Sequence, residues 1–166
     1  MASQLGTQLT AQVIAQLTGT AGMNSALAEL SSSAAAPAPA LSLSQVRAQN
    51  VAVDLAERAG AVAYPSVLVY CEKLTNSLQE KFRSFSGTAQ MAVEVRHSQD
   101  RLDGLQDALE LYVDAAAQTI SAARGDWGNG MFYAGGYQVS YGPIKQGGRN
   151  FIQTAKMTFE VDVSRN

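Results

Sequence analysis

"GYQVSYGPIKQGGRNFIQTAKMTFEVDVS", residues 136–164, decides the fold. Tyr137, Val139 and Tyr141 alternate with Gln138 and Ser140. Met157, Phe159, Val161 and Val163 alternate with Thr158, Glu160, Asp162 and Ser164. Alternation of this kind puts the two sets on opposite faces of a strand. Between the runs lies "KQGGR", whose paired glycines supply the positive φ angles of a tight turn, so the spacing predicts an antiparallel hairpin. Extended at ~3.3 Å per residue, the chain from Phe151 to Val163 would run about 40 Å. A compact domain of this length has a radius of gyration of only ~15 Å. The last strand is therefore expected to bend or to project beyond its sheet as an edge.

Working outward, "YPSVLVYCE" opens with proline at a strand edge. It places Val67, Val69 and Cys71 on one face and Leu68 and Tyr70 on the other, the pattern of a central strand. "TAQMAVEVRH" turns Met91, Val93 and Val95 to a core and Gln90, Glu94 and Arg96 outward. The two form a second hairpin, with a long loop over residues 74–87 carrying Lys81 and Arg83. Residues 100–124 read as the strongest helix, with Leu102, Leu105, Leu109, Tyr112, Ala116, Ile120 and Ala123 on one stripe. Ser98 or Asp100 is available as its cap. Asp100, Asp103, Asp107, Glu110 and Asp114 follow the same rhythm out of phase, which makes an acidic ridge opposite the apolar stripe.

Leu5, Leu9, Val13 and Leu17 mark a helix over 3–18 with Ser3 as its cap, and "MNSALAEL" adds a short one. The proline-alternating stretch "SSSAAAPAPA" reads as a linker. Residues 42–60 are read as helix, although Val51, Val53 and Leu55 also alternate as in a strand. The organisation expected is an N-terminal helix or arm (1–30), a linker (31–41) and a domain (42–166). The class is α+β: an antiparallel or mixed four-stranded sheet, helices mainly on one face, in the order α-(α)-β-β-α-β-β.

Composition narrows the function. Twelve Lys and Arg against fourteen Asp and Glu give a net charge of −2, unlike a dedicated nucleic-acid binder. One cysteine makes neither an internal disulfide nor a cysteine zinc cage. No basic residue precedes Arg47, so no secretory leader is expected. The glycines of "GDWGNGMFYAGG" precede strands instead of opening a helix, which argues against a phosphate loop. Trp127, Phe132, Tyr133, Tyr137 and Tyr141 are candidates for a stacking surface, and Trp127 or Phe132 for a partner anchor. Without histidine among them, the ridge carboxylates are a weak metal set. His97 is expected to be a solvated turn residue and Cys71 a small core residue. An acidic face, a basic loop and an overlong edge strand are complementary surfaces in different places, an arrangement that favours head-to-tail contacts and rings.

"YPSVLVY", the strand "AQMAVEVRH", the helix opening "SQDRLDGLQDAL" and the terminal "AKMTFEVDVSRN", following an N-terminal helix, resemble the tail terminator proteins of long-tailed bacteriophages. The resemblance covers residues 62–166 and, more loosely, the first helix; residues 19–61 are longer than that pattern. It implies a structural virion protein at the neck of the particle, assembled in the host cytoplasm. It further implies a hexameric homo-oligomer that caps the tail tube protein, ends its polymerisation and meets the head–tail connector proteins. No catalytic residue, cofactor or membrane contact is implied. The genomic DNA would pass the channel without specific binding. On this footing Lys81, Phe82, Arg83, Trp127, Phe132, Lys156, Glu160 and Asp162 are candidates for subunit or tube contacts. Asp103, Asp107, Glu110 and Asp114 are candidates for lining the channel. A head-side connector, or a small-ligand or RNA-binding α+β module, are the competing expectations.

Overall fold

The computed structural model describes residues 4–34, 39–58 and 62–166. The chain runs α1 (Leu5–Thr18), α2 (Met23–Ser31), a 3-10 turn (Leu43–Gln45), β1 (Val46–Arg47), α3 (Val53–Arg58), β2 (Ser66–Asn76), β3 (Phe85–Gln99) and α4 (Leu105–Ala122). It ends in β4 (Gly125–Gly128), β5 (Met131–Tyr133), β6 (Gln138–Tyr141), β7 (Lys145–Gly147) and β8 (Asn150–Arg165). The class is α+β, as the patterning implies. Among the described residues, however, the sheet has eight strands in place of four, in the order β1-β2-β3-β8-β5-β4, with β6 and β7 also on β8. Only β1 runs parallel to its neighbour, so the sheet is mixed. The additional strands are two to four residues long, too short for alternation to reveal them.

The last strand is the spine of this sheet and not a projecting edge. β3 flanks β8 from Phe85↔Arg165 to Gln99↔Phe151, while β5, β6 and β7 tile successive stretches of its other side. The "KQGGR" hairpin forms as expected, with Gly147 opposite Asn150. The "YPSVLVY" strand is central only at its start, where it lies between β1 and β3. Ser66–Tyr70 is buried on both faces, but β1 flanks β2 only at Val67 and Leu68.

Alternation along β3 and β8 divides the sheet into two unlike faces. Val67, Val69, Met91, Val93, Val95, Met157, Phe159 and Val161 join Leu5, Leu9, Val13, Leu17, Leu27, Leu109, Tyr112 and Ile120 in one core. α1 packs on β2, α4 on β3 and β8, and α2 on α4. The stripe along α4 is buried as the periodicity predicts, except that Leu102 is exposed and Ala123 only partly buried. α4 starts late because β3 continues through Ser98 and Gln99. Neither Ser98 nor Asp100 caps it; Gly104 does so with φ 79°, a conformation glycine adopts at no steric cost.

The region 42–60 departs most from expectation. Only Val53–Arg58 is α-helical, and residues 59–61 lie outside the described chain, as do Ser3 and residues 35–38 of the linker. Leu43 and Leu55 are exposed, so no apolar stripe rewards a continuous helix. Instead the 48–58 segment crosses the second sheet face. There Arg96, expected to point outward, is 5% exposed and binds the Val51 carbonyl and the Glu94 carboxylate.

Candidate interaction surfaces

The β2–β3 loop is a rigid tip. Asn76 Oδ1 accepts the Ser86 and Leu78 amides (3.0 and 3.4 Å), and Asn76 Nδ2 donates to the Ser84 carbonyl (3.1 Å). The Glu80 carboxylate takes Arg83 Nε (3.1 Å) and the Ser164 hydroxyl (2.9 Å). Arg83 Nη1 donates to Asn166 Oδ1 (2.8 Å), and the Ser84 amide donates to the Arg165 carbonyl (2.9 Å). These bonds staple the loop to the end of β8 and hold Leu78 (φ 48°) and Phe82 (φ 66°) in the left-handed region. Such backbone persists only where the surroundings over-determine it. Phe82 is 100% exposed and Leu78 62%, with Lys81 exposed between them. The tip thus presents apolar side chains to solvent in a fixed geometry. Asn76, which locks it, gave no sign in the sequence beyond being an asparagine at a turn.

Phe132, Lys156, Glu160 and Asp162 share the sheet face opposite the α1/α2/α4 layer, with Phe132 beside Asp162 and Lys156 six residues away along β8, roughly 20 Å. Asp162 pairs across the sheet with Thr88 on one side and Phe132 on the other. Lys156 is already engaged, pairing with Glu72 and lying 5.9 Å above the Tyr70 ring. The Tyr70 hydroxyl donates to Glu94 (2.5 Å); burial and then that carboxylate push its pKa well above the ordinary phenol value. Glu160 borders an open recess of about 350 Å³ with Gln90, Tyr137, Gln138 and Thr158. Its lining is polar but carries no cluster of opposed charges.

Trp127 belongs to the other face. Its ring packs against Tyr133 and Phe159 (5.6 and 6.4 Å between centroids), and its Nε1 donates to the Ala123 carbonyl (2.7 Å). The five aromatic residues considered for stacking therefore form no single platform: Tyr133 is buried, Trp127 is half-buried beside it, and Phe132 points away from both.

On α4 the ridge is present, with Asp107 and Asp114 exposed and Glu110 partly so; Asp103 precedes the helix and is exposed. Burial, and then the neighbouring Glu110 charge, raise the Asp114 carboxyl above its ordinary value. The same two acids, after burial, raise the Tyr141 phenol, so they stand close to the end of β6. Among the described residues no three His, Cys, Asp or Glu side chains gather as metal ligands would. No described helix is long and apolar enough to cross a membrane.

His97 lies within β3 and not in a turn. Its ring is 5.6 Å from that of Tyr112, and burial lowers its pKa. Its Nδ1 and the Oε1 of its cross-strand neighbour Gln153 are buried without hydrogen-bond partners among the described residues. Cys71 is half-buried at the lip of a groove beside α1, and burial raises its thiol pKa, so it is a poor nucleophile. The chain's conspicuous features are thus surfaces. No family model and no curated protein matches this chain.

Proposed function

We propose that the chain is a structural virion protein that assembles as a hexameric ring on the phage tail tube, ends tube growth and joins the tail to the head. The observation that carries this reading is the stapled tip. A fully exposed phenylalanine in a left-handed, hydrogen-bonded loop is a preorganised anchor for another protein. The resemblance of the strand and helix motifs to tail terminators supplies the identity of that protein, the tube subunit. The acidic ridge of Asp103, Asp107, Glu110 and Asp114 fits the channel wall. Carboxylates facing the lumen repel DNA phosphate at close range and so let the genome pass without sticking.

The test is tube assembly in vitro. Purified chain added to polymerising tube protein shortens the tubes to a fixed length distribution, and the Phe82→Ser variant does not. Tubes of equal length with and without the chain refute the capping role. A chain that binds the head-side portal assembly and leaves tubes untouched supports the connector reading instead. Reversal of Asp103, Asp107 and Glu110 to lysine leaves capping intact and slows DNA ejection; unchanged ejection removes these acids from the channel. One observation favours a small-ligand or RNA-binding module, namely the exposed Tyr137 beside the recess. That reading requires tyrosine fluorescence to respond to nucleotides.

A further inference from the structure

We propose that β4 of one copy adds to the open edge of β2 in the next, so that neighbouring sheets continue into each other head to tail. This rests on the self-assembly reading above and specifies the contact. Thr75, Thr88, Asp162, Phe132 and Asp126 stand in one row across β2, β3, β8, β5 and β4. Among the described residues the row is open at both ends: β1 covers β2 only at Val67 and Leu68, and β4 pairs only with β5.

At the β2 end the position of β1 is only half filled. After Arg47 the chain leaves the sheet, and a groove of about 710 Å³ opens beside Val69, Tyr70 and Cys71. Its other wall is α1, with Thr7, Thr10, Ala11 and Ile14, and the departing Ala48, Gln49 and Asn50 border it. Further along, the Ser77 amide donates to the Ser86 carbonyl (3.0 Å). By the alternation of an antiparallel ladder, Thr75 and Lys73 turn their backbone groups to β3, and Leu74 turns its own to the open side. Unpaired backbone on an edge strand is a template for another strand.

At the β4 end the edge strand reads Gly125-Asp126-Trp127-Gly128. The two glycines let a second backbone approach closely. The charges match as well. Lys73 and Asp126 have no ion pair among the described residues. With Asp126 opposite Thr75, Lys73 is its diagonal neighbour on the same sheet face, within reach of a long side chain. Because the two open ends belong to different strands, the contact is heterologous: it passes from copy to copy instead of ending at a dimer, and closes into a ring where the rotation between copies permits.

The experiment is light scattering of four variants alongside the wild-type chain, with circular dichroism and thermal melts to confirm folding. Leu74→Pro removes an outward amide but no bond to β3, and it is expected to stay monomeric at concentrations where the wild type assembles. Lys73→Asp and Asp126→Lys each raise the concentration for half-assembly by up to about fivefold; the double reversal restores it. A folded Leu74→Pro chain that assembles like the wild type overturns the edge contact while leaving ring formation standing. So does a double reversal no better than its singles. Sensitivity to Lys73→Asp without sensitivity to Asp126→Lys replaces β4 by a second β2 as the partner, which also overturns the proposal. A wild-type chain that never assembles removes the ring reading itself.

Discussion

Replacing Arg96 by alanine tests how the second sheet face is built. Arg96 is 5% exposed; its guanidinium bonds Glu94 Oε2 at 2.8 Å and holds the Val51 carbonyl, which pins the 48–58 crossing to the sheet. Without it Glu94 keeps, among the described residues, only the Tyr70 hydroxyl as a hydrogen-bond donor. Leaving one partner of a buried pair uncompensated costs about 3–5 kcal/mol. The Glu94 side chain retains 16% exposure, so the lower end, ~3 kcal/mol, applies. For a chain of this length that is a fall in Tm of roughly 6–12 °C. Urea unfolding reads it directly as a lower midpoint with an unchanged m value. Glu94→Gln/Arg96→Met removes both charges and keeps an acceptor for Tyr70, and it should lie within about 1 kcal/mol of the wild type. An Arg96→Ala loss below about 1 kcal/mol, the worth of an exposed ion pair, would refute the reasoning, and so would a double variant as unstable as the single.

Gly130→Ala should cost about 2 kcal/mol or more, because the residue sits at φ 75° and an added Cβ would lie 1.9 Å from the Ser164 carbonyl oxygen; an unchanged urea midpoint contradicts this. The folded-state pKa of His97 is depressed by burial below its unfolded value of 6.5. Its contribution to stability is thus present above pH 6.5 and is lost as pH falls through the folded value. His97→Phe should flatten that acid limb in melts recorded at several pH values. Phe82→Ser should leave Tm within experimental error, since the ring touches solvent only, while abolishing tube capping. A large Tm loss would make Phe82 a structural residue.

Long periodic segments were legible in the sequence. The burial of Leu105, Leu109, Tyr112 and Ile120 along α4, of Leu5, Leu9, Val13 and Leu17 along α1, and the alternation of β8 all follow from spacing. The sheet's extent was not, because β1, β4, β5 and β7 are two to four residues long and hold at most two repeats of an alternating pattern. The place of β8 depended on β5, β6 and β7, which cover the flank that length alone suggested would project. Arg96 was misplaced because alternation tells which face a residue takes, not what lies over it; the Val51 carbonyl arrives from 45 residues away. Among the candidate contact residues, Phe82 is fully exposed. Trp127 was drawn inward by Tyr133 and Phe159, and Lys156 was neutralised by Glu72 two strands away. Neither pairing has a local signature.

The most direct measurement is the mass of the wild-type chain in solution, followed by light scattering across protein concentration with and without magnesium. Assembly to six times the 17.5 kDa chain mass is the predicted result. A species that remains at the mass of a single chain at every concentration, in either buffer, would contradict it.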